Sequence, residues 1–362
     1  MKITAIETYP ISLPLVKSVQ MSNALIERSR NVLVKISTDV GITGWGEGVE
    51  ALALTGETQD RIKAGIDEIG SRLVGRDPLA RNQLWLEMQR GVYGNKTAIG
   101  AIDIALHDIG GKAFGVPVYE LLGGAVRTRI PALVLIGSGD SDADVATFES
   151  LYETGYRWFK VKIGIGDQSS ETKTMAAISS RDDAVLCGDA NGAWDEQHSI
   201  AFLRAIDGLR VRFIEQPTLD RQSLNRIAAA SPIAICADES AGSFDDIVGF
   251  GATAVRGVSL KLIKLGGITG VMRGAVLCDS LGLEINLAGK VAESSVAAAA
   301  NLHCAAGISA LAFGCSPGNQ AVAHDVTDAP VRAVDGVFAV PDGIGLGVEV
   351  DEKRVAELSG RI

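Results

Sequence analysis

The chain has 362 residues, room for a barrel-sized domain plus a smaller partner, and 47% of them are hydrophobic, enough for a large core. Only 5% are aromatic, so that core is aliphatic, which suits the tight side-chain layers inside a parallel barrel. A net charge of -10 argues against nucleic acid and membrane surfaces as partners, while a small anionic substrate needs only local positive charge.

The N-terminal region alternates apolar and polar residues over 3–13 and again over 31–38, as antiparallel strands do. It lacks the basic-then-apolar layout of a signal peptide, and no run of about 18 apolar residues follows, so a cytoplasmic protein without a membrane span is expected. Residues 41–44 read as a turn, followed by Trp45-Gly-Glu47. The apolar spacing becomes helical over 59–73 and again over 98–114, and Gly115-Val-Pro117 ends the second helix. A meander followed by helices predicts a small α+β domain over residues 1–125.

After Gly124 short apolar runs alternate with helical stretches. The runs are 131–136, 158–163, 184–189, 211–215, 233–238, 257–261, 284–287 and 310–313. They recur at intervals of roughly 25 residues, the length of a strand-plus-helix unit. Eight such units over 126–322 are what a closed (β/α)8 barrel requires. An open doubly wound sheet is the alternative, but Gly137-Ser-Gly139 is a poor substitute for the glycine-rich turn that fold wants after its first strand. The tail, 323–362, carries Pro, Gly and Asp in turn-like clusters and is expected to finish the barrel or pack back on the first domain. Cys187, Cys236, Cys278, Cys304 and Cys315 are scattered without a CxxC pair and read as reduced core thiols.

In a parallel barrel, chemistry sits at the C-terminal ends of the strands. Here the second strand ends in Lys160-Val161-Lys162, the third in Asp189 with Asn191 beyond it, the fourth in Glu215, the fifth in Asp238-Glu239 and the sixth near Lys261. Neighbouring strands are about 5 Å apart, so Asp189, Glu215 and Asp238 are placed to converge on one ion. Three oxygen donors suit Mg2+, or Mn2+, rather than zinc. Each Asp taken alone would more often be a helix cap, and it is three in register that favour the metal. Lys160 and Lys162 share a strand face, and each is expected to lower the pKa of the other, which would make one a usable base. Lys261 lies across the barrel from them, with Lys264 as a rival. Such parts suit removal of a proton next to a carboxylate, the metal stabilising an enediolate and amines moving the proton.

These residues resemble the enolase superfamily, and within it the muconate-lactonizing-enzyme subgroup. The resemblance spans nearly the whole chain. It rests on Gly44-Trp-Gly-Glu47, the run from Ala98 to Gly124, Phe159-Lys-Val-Lys162, Asp189-Ala-Asn191, Glu215-Gln-Pro217, Ala237-Asp-Glu-Ser240 and Lys261-Leu-Ile-Lys-Leu-Gly-Gly267. It implies a capping domain whose loops, around 16–30 and 50–57, close over the site. It implies Asp189, Glu215 and Asp238 as Mg2+ ligands, Lys162 and Lys261 as acid/base residues on opposite faces of the substrate, and Lys160 as the neighbour that tunes Lys162. Asn191 and Glu239 match supporting positions around the metal and Lys261. A homo-oligomer acting on a small carboxylate is also implied.

The departures bear on substrate. Dipeptide epimerases of the subgroup carry an Asp-x-Asp at the eighth strand end, and muconate-converting members often a Glu. Leu311-Ala-Phe-Gly-Cys315-Ser-Pro317 has neither. After the seventh strand stands Gly289-Lys290-Val-Ala-Glu293-Ser-Ser295, where Lys290 could grip a second carboxylate, and Glu293 is a further candidate for substrate contact. Arg28 and Arg30 in the first lid segment are similar candidates. His107, His198, His303 and His324 lie away from strand ends and are set aside. The expectation is therefore a metal-dependent, muconate-cycloisomerase-like isomerase. The alternatives are a racemase or epimerase of N-acylamino acids, a dehydratase, or a metal-binding barrel without catalysis.

Overall fold

The computed structural model describes residues 1–20 and 25–360. Part of the first expected lid segment, residues 21–24, lies outside the described residues. The N-terminal region is a three-stranded antiparallel sheet in which Asn31–Thr38 lies between Ile3–Ile11 and Thr43–Val49. Helix Lys96–Phe114 packs against it so closely that a Cβ on Gly46 would sit 1.9 Å from the Ala101 carbonyl oxygen, and one on Gly44 2.3 Å from that of Ala105. That close approach accounts for the glycines on either side of Trp45. The helix ends at Gly115, φ 72°, a left-handed residue that glycine adopts without penalty. Helix Arg81–Gly91, unmarked by the sequence reading, adds Leu84, Trp85 and Met88 to the same core.

The second region is a parallel sheet of eight sequential neighbours, closed into a barrel by a bridge between Ala132 and Cys315. The strands are Leu133–Ile136, Trp158–Lys162, Val185–Asp189, Val211–Glu215, Ala234–Ala237, Gly257–Leu260, Glu284–Ala288 and Cys315–Ser316. The fold is thus the (β/α)8 barrel with an α+β cap. Leu133, Cys187, Phe213, Cys236 and Phe313 fill the barrel interior, with the two phenylalanine rings stacked at 4.4 Å. All five cysteines are free and buried.

Two strand assignments need correction. The run 131–136 begins too early: Arg129–Pro131 pairs antiparallel with Val337–Ala339, and Pro131, having no N–H, cannot donate to the barrel ladder. The apolar run 310–313 is not the eighth strand. Phe313 donates its N–H to the Ile285 carbonyl and Gly314 accepts the Leu287 N–H, but the Phe313 ring fills the barrel floor and Gly314 lies at φ 93°, so regular strand pairing is confined to Cys315–Ser316. Apolar periodicity cannot separate a strand from a floor plug of the same composition.

The C-terminal stretch contacts the cap at several points. The Leu346 N–H donates to Asp108 Oδ1 at 2.9 Å, while Asp108 Oδ2 takes the Trp45 N–H. Lys35 pairs with Glu352 at 2.6 Å. Cap and barrel meet at helix Ser295–Gly307, whose start is held by the buried Glu47 carboxylate through the Ser294 and Ala297 N–H groups. Among the described residues no helix is long and apolar enough to cross a membrane.

Candidate active site

Charged residues at the ends of barrel strands two, three, four and six face one cavity of about 700 Å3 at the barrel mouth. Its lining includes Lys160, Lys162, Asp189, Asn191, Glu215, Lys261 and Lys290, with Lys17, Val19 and Leu25 reaching over from the cap. A second, more open groove lies between helices Arg81–Gly91 and Ile268–Leu281, away from these strand ends, and contains none of these groups. Strand alternation does as expected at 160–162: both lysines point into the cavity, while Val161 packs in the apolar core.

The carboxylates and ammonium groups alternate around the rim. Lys160 Nζ donates to Glu215 Oε2. Lys162 Nζ donates to Asp189 Oδ2 at 2.6 Å and to Asn191 Oδ1 at 2.7 Å. Lys261 Nζ donates to Asp238 Oδ2 at 2.5 Å. The rivalry with Lys264 is resolved by position. The sixth strand ends at Leu260, and Lys264 lies on the short helix Leu262–Leu265, buried behind the rim. There its ammonium donates to Asp238 Oδ1 and to the carbonyls of Asp238 and Ser259, each at 2.7 Å.

This pairing revises the expected electrostatics of Lys160. Burial pushes its ammonium pKa down, but the Glu215 and Asp189 carboxylates outweigh burial and the net direction is up. Depression by a neighbouring ammonium does not govern at Lys160, where the carboxylates prevail. Burial also pushes Asp189 and Asp238 up. Lys162 and Lys160 bring the first below its ordinary value, and Lys261 and Lys264 hold the second well below it. Glu239 goes the other way, to about 7, because of burial and then the repulsion of Asp238 and Asp189.

Among the described residues, no three His, Cys, Asp or Glu side chains stand around a common point as metal ligands do. Each of the three expected ligands is turned onto a lysine instead. The donor set nevertheless fits a hard divalent cation: three buried carboxylates on adjacent strand ends, with Glu215 in register beside Asp189. Glu239 Oε2 is in addition a buried acceptor with no hydrogen-bond partner among the described residues.

Supporting residues hold this rim, among them Gln216, Ser259 and Asn286, which sequence reasoning left unassigned. Gln216, at φ 38°, accepts the Asp238 and Ser240 N–H groups on its Oε1. Ser259 donates to Glu215 Oε1 at 2.5 Å, and Asn286 Nδ2 donates to the same oxygen at 3.2 Å. Asn191, at φ 45°, joins Lys162 to Glu239 Oε1. Non-glycine residues at positive φ persist only where their surroundings hold them, and they cluster at functional sites. Gln216 directly follows a ligand candidate and lies within the Glu215-Gln-Pro217 motif, the two signals available for it.

The substrate candidates separate. Lys290 lines the cavity. Arg28 is exposed and does not line it, and Arg30 lies 3.6 Å from Glu50. Glu293 is buried, and its carboxylate accepts the N–H groups of Lys290 and Gly318 and the Asn301 amide, so it is committed to the protein.

Residues 5–123 match the mandelate racemase / muconate lactonizing enzyme N-terminal domain, and residues 143–354 match the enolase C-terminal domain-like family. The chain belongs to the mandelate racemase / muconate lactonizing enzyme family. A chloromuconate cycloisomerase of Pseudomonas putida is 30% identical, with 98% of each chain covered. The crystal structure of N-succinyl Arg/Lys racemase from Bacillus cereus matches with a TM-score of 0.94 at 29% identity, covering 99% of this chain and 98% of that one. That of muconate lactonizing enzyme from Pseudomonas fluorescens, complexed with muconolactone, matches at 0.93 and 30% identity, covering 99% of each. This member of the family is a muconate-cycloisomerase-like enzyme of the isomerase class, and its membership implies a divalent metal.

Proposed function

We propose that the protein isomerises a small carboxylate by moving the proton on the carbon beside the carboxyl group, most closely in the manner of a muconate cycloisomerase acting on an unsaturated or lactonised dicarboxylate. The observation that carries this reading is the placement of Lys162 and Lys261. They end strands two and six of an eight-stranded barrel, on opposite sides of one cavity, with the carboxylates of strands three to five between them. Asp189, Glu215 and Asp238 would hold the divalent ion, Mg2+ or Mn2+, which when bound supplies positive charge opposite the substrate carboxylate.

Lys162 Nζ takes or returns the proton on one face. Asn191 Oδ1 and Asp189 Oδ2 fix where that nitrogen stands. Lys261 serves the other face, as an acid or as a fixed cation. Lys160, held by Glu215, keeps a permanent positive charge beside the substrate carboxylate. The cap residues Lys17, Val19 and Leu25 cover the mouth and limit water. The end of the eighth strand contributes Ser316, Pro317 and Gly318 to the cavity, which favours a substrate without a free ammonium group there.

A second reading, racemisation of an N-acylamino acid, is favoured by the same two opposed lysines, since inversion at carbon needs a proton carrier on each face. The two are separated by incubating the Mg2+-loaded protein with muconates and N-succinylamino acids in deuterium oxide and following by NMR. Cycloisomerisation gives a lactone carrying one deuterium. Racemisation washes deuterium into recovered substrate. No exchange at any α-carbon in either panel, with metal binding verified, would overturn both readings.

A further inference from the structure

The four lysines that the barrel contributes to the cavity differ in one respect. Lys160 and Lys162 are buried and Lys261 nearly so, and each has a carboxylate partner at hydrogen-bond distance. Lys290, half-buried on the turn after the seventh strand, has no ion pair and no side-chain hydrogen bond among the described residues. An ammonium withdrawn from water without a counter-ion is a standing cost that an incoming anion removes.

The turn that carries it is built for position. The Lys290 N–H donates to Glu293 Oε2 at 3.1 Å, and Glu293 Oε1 takes the Gly318 N–H at 2.8 Å and the Asn301 amide at 3.1 Å. Ala292 sits at φ 72°, buried, with its N–H on the Gly318 carbonyl at 3.0 Å and its own carbonyl held by Asn31 of the cap at 2.9 Å. Alanine in that conformation costs energy that a solvated surface lysine would not require. Burial, and then the repulsion of Lys261 and Lys162, lowers the Lys290 ammonium pKa to about 8.

We propose that Lys290 is a specificity-determining residue of this chain, binding the distal carboxylate of the substrate on the strand-seven side of the cavity. Glu293 and Ala292 are then positioning residues, acting through the turn. The proposal rests on the reading of this cavity as the site of α-proton chemistry, and it narrows the substrate class within that reading. It covers a muconate and an N-succinylamino acid equally, since both carry a second carboxylate, and it excludes N-acetyl and other monoanionic counterparts.

The test is equilibrium binding by calorimetry, which needs no turnover. Adipate and monomethyl adipate are titrated into the Mg2+-loaded wild type and into Lys290→Gln and Lys290→Arg, with circular dichroism checking that each variant is folded. The expected result is a preference for adipate of about tenfold or more in the wild type, lost in Lys290→Gln and largely kept in Lys290→Arg. No preference in the wild type, or a preference that survives in Lys290→Gln, would overturn it. Failure of the underlying reading shows elsewhere, as the absence of deuterium exchange from any carboxylate substrate.

Discussion

The rim formed by strands two to six and the unit that begins with strand seven solve the problem of buried polar groups in opposite ways. The first is a ring of ion pairs: Lys160 with Glu215, Lys162 with Asp189, Lys261 and Lys264 with Asp238. The second, from Glu284 to Gly307, relies on hydrogen bonds in place of ion pairs among the described residues. Ser294 and Ser295 sit on the Glu47 and Asp325 carboxylates, Glu293 accepts backbone N–H groups, and His303 is neutral. The contrast separates tasks. A ring of compensated charges can trade a lysine for a metal ion or a substrate without a large net change in electrostatics. A hydrogen-bonded frame cannot be traded and so holds geometry, which is what a specificity residue such as Lys290 needs.

The largest expected break is in the charge ring. Lys162→Ala and Lys261→Ala should each lower kcat by about 10^3 while leaving the circular dichroism spectrum unchanged, because each removes a proton carrier without uncovering the core. A kcat within about threefold of wild type in either variant would remove that lysine from the mechanism. Glu215→Ala should destabilise the fold by about 3 kcal/mol or more in urea denaturation, since it strands the Lys160 ammonium at 3% exposure beside Asp189. Chelation with EDTA is predicted to be far milder. The lysines already neutralise the carboxylates, so activity should vanish while the melting temperature shifts by only a few degrees, about 1–2 kcal/mol. Unfolding on chelation would mean that the ion pairs seen here do not form in the metal-free protein.

Acid should break the second region first. Burial holds the His303 imidazole pKa down to about 4 from an ordinary 6.5. Its ring accepts the Tyr119 N–H on Nδ1 and donates from Nε2 to the Leu346 carbonyl, tying barrel helix, cap and tail together. The folded state therefore resists the proton that the unfolded chain accepts. That contribution is complete above about pH 6.5 and is lost as pH falls toward 4, up to about 3 kcal/mol in all. Urea midpoints at pH 7 and 4.5 should diverge in the wild type and converge in His303→Gln. An equal divergence in both would assign the acid sensitivity to other groups. The smallest effect belongs to Ala292→Gly. Relief of the φ 72° strain and the entropy of a more flexible unfolded chain oppose each other, so stability should move by less than about 1 kcal/mol. KM should still rise if the turn positions Lys290, and an unchanged KM would show that the turn's strain serves no binding role.

Much of the candidate site was legible because a parallel barrel puts the last residue of every strand at one mouth. Once 158–163, 184–189 and 211–215 are read as strands, Lys162, Asp189 and Glu215 must come together, and alternation alone turns Lys160 with Lys162 and Val161 away. What the chain itself determined, then, was the cap-and-barrel order, the charged strand ends and the family pattern, all set by local periodicity and by the residue types at fixed spacings. Tertiary structure alone decided the rest. It chose Lys261 over Lys264, since only the point where the strand stops fixes which lysine faces the cavity. It moved the eighth strand past Gly314, since an apolar run bound for the barrel floor has the same composition as one bound for the sheet. It assigned Glu293 to the backbone and Lys290 to the cavity, because the direction of a side chain after a strand depends on a turn, and that turn is held by Asn301 on the following helix and by Gly318 and Asn31, the last two distant in the chain. Hydrogen bonds between such distant partners leave no periodic trace in the sequence.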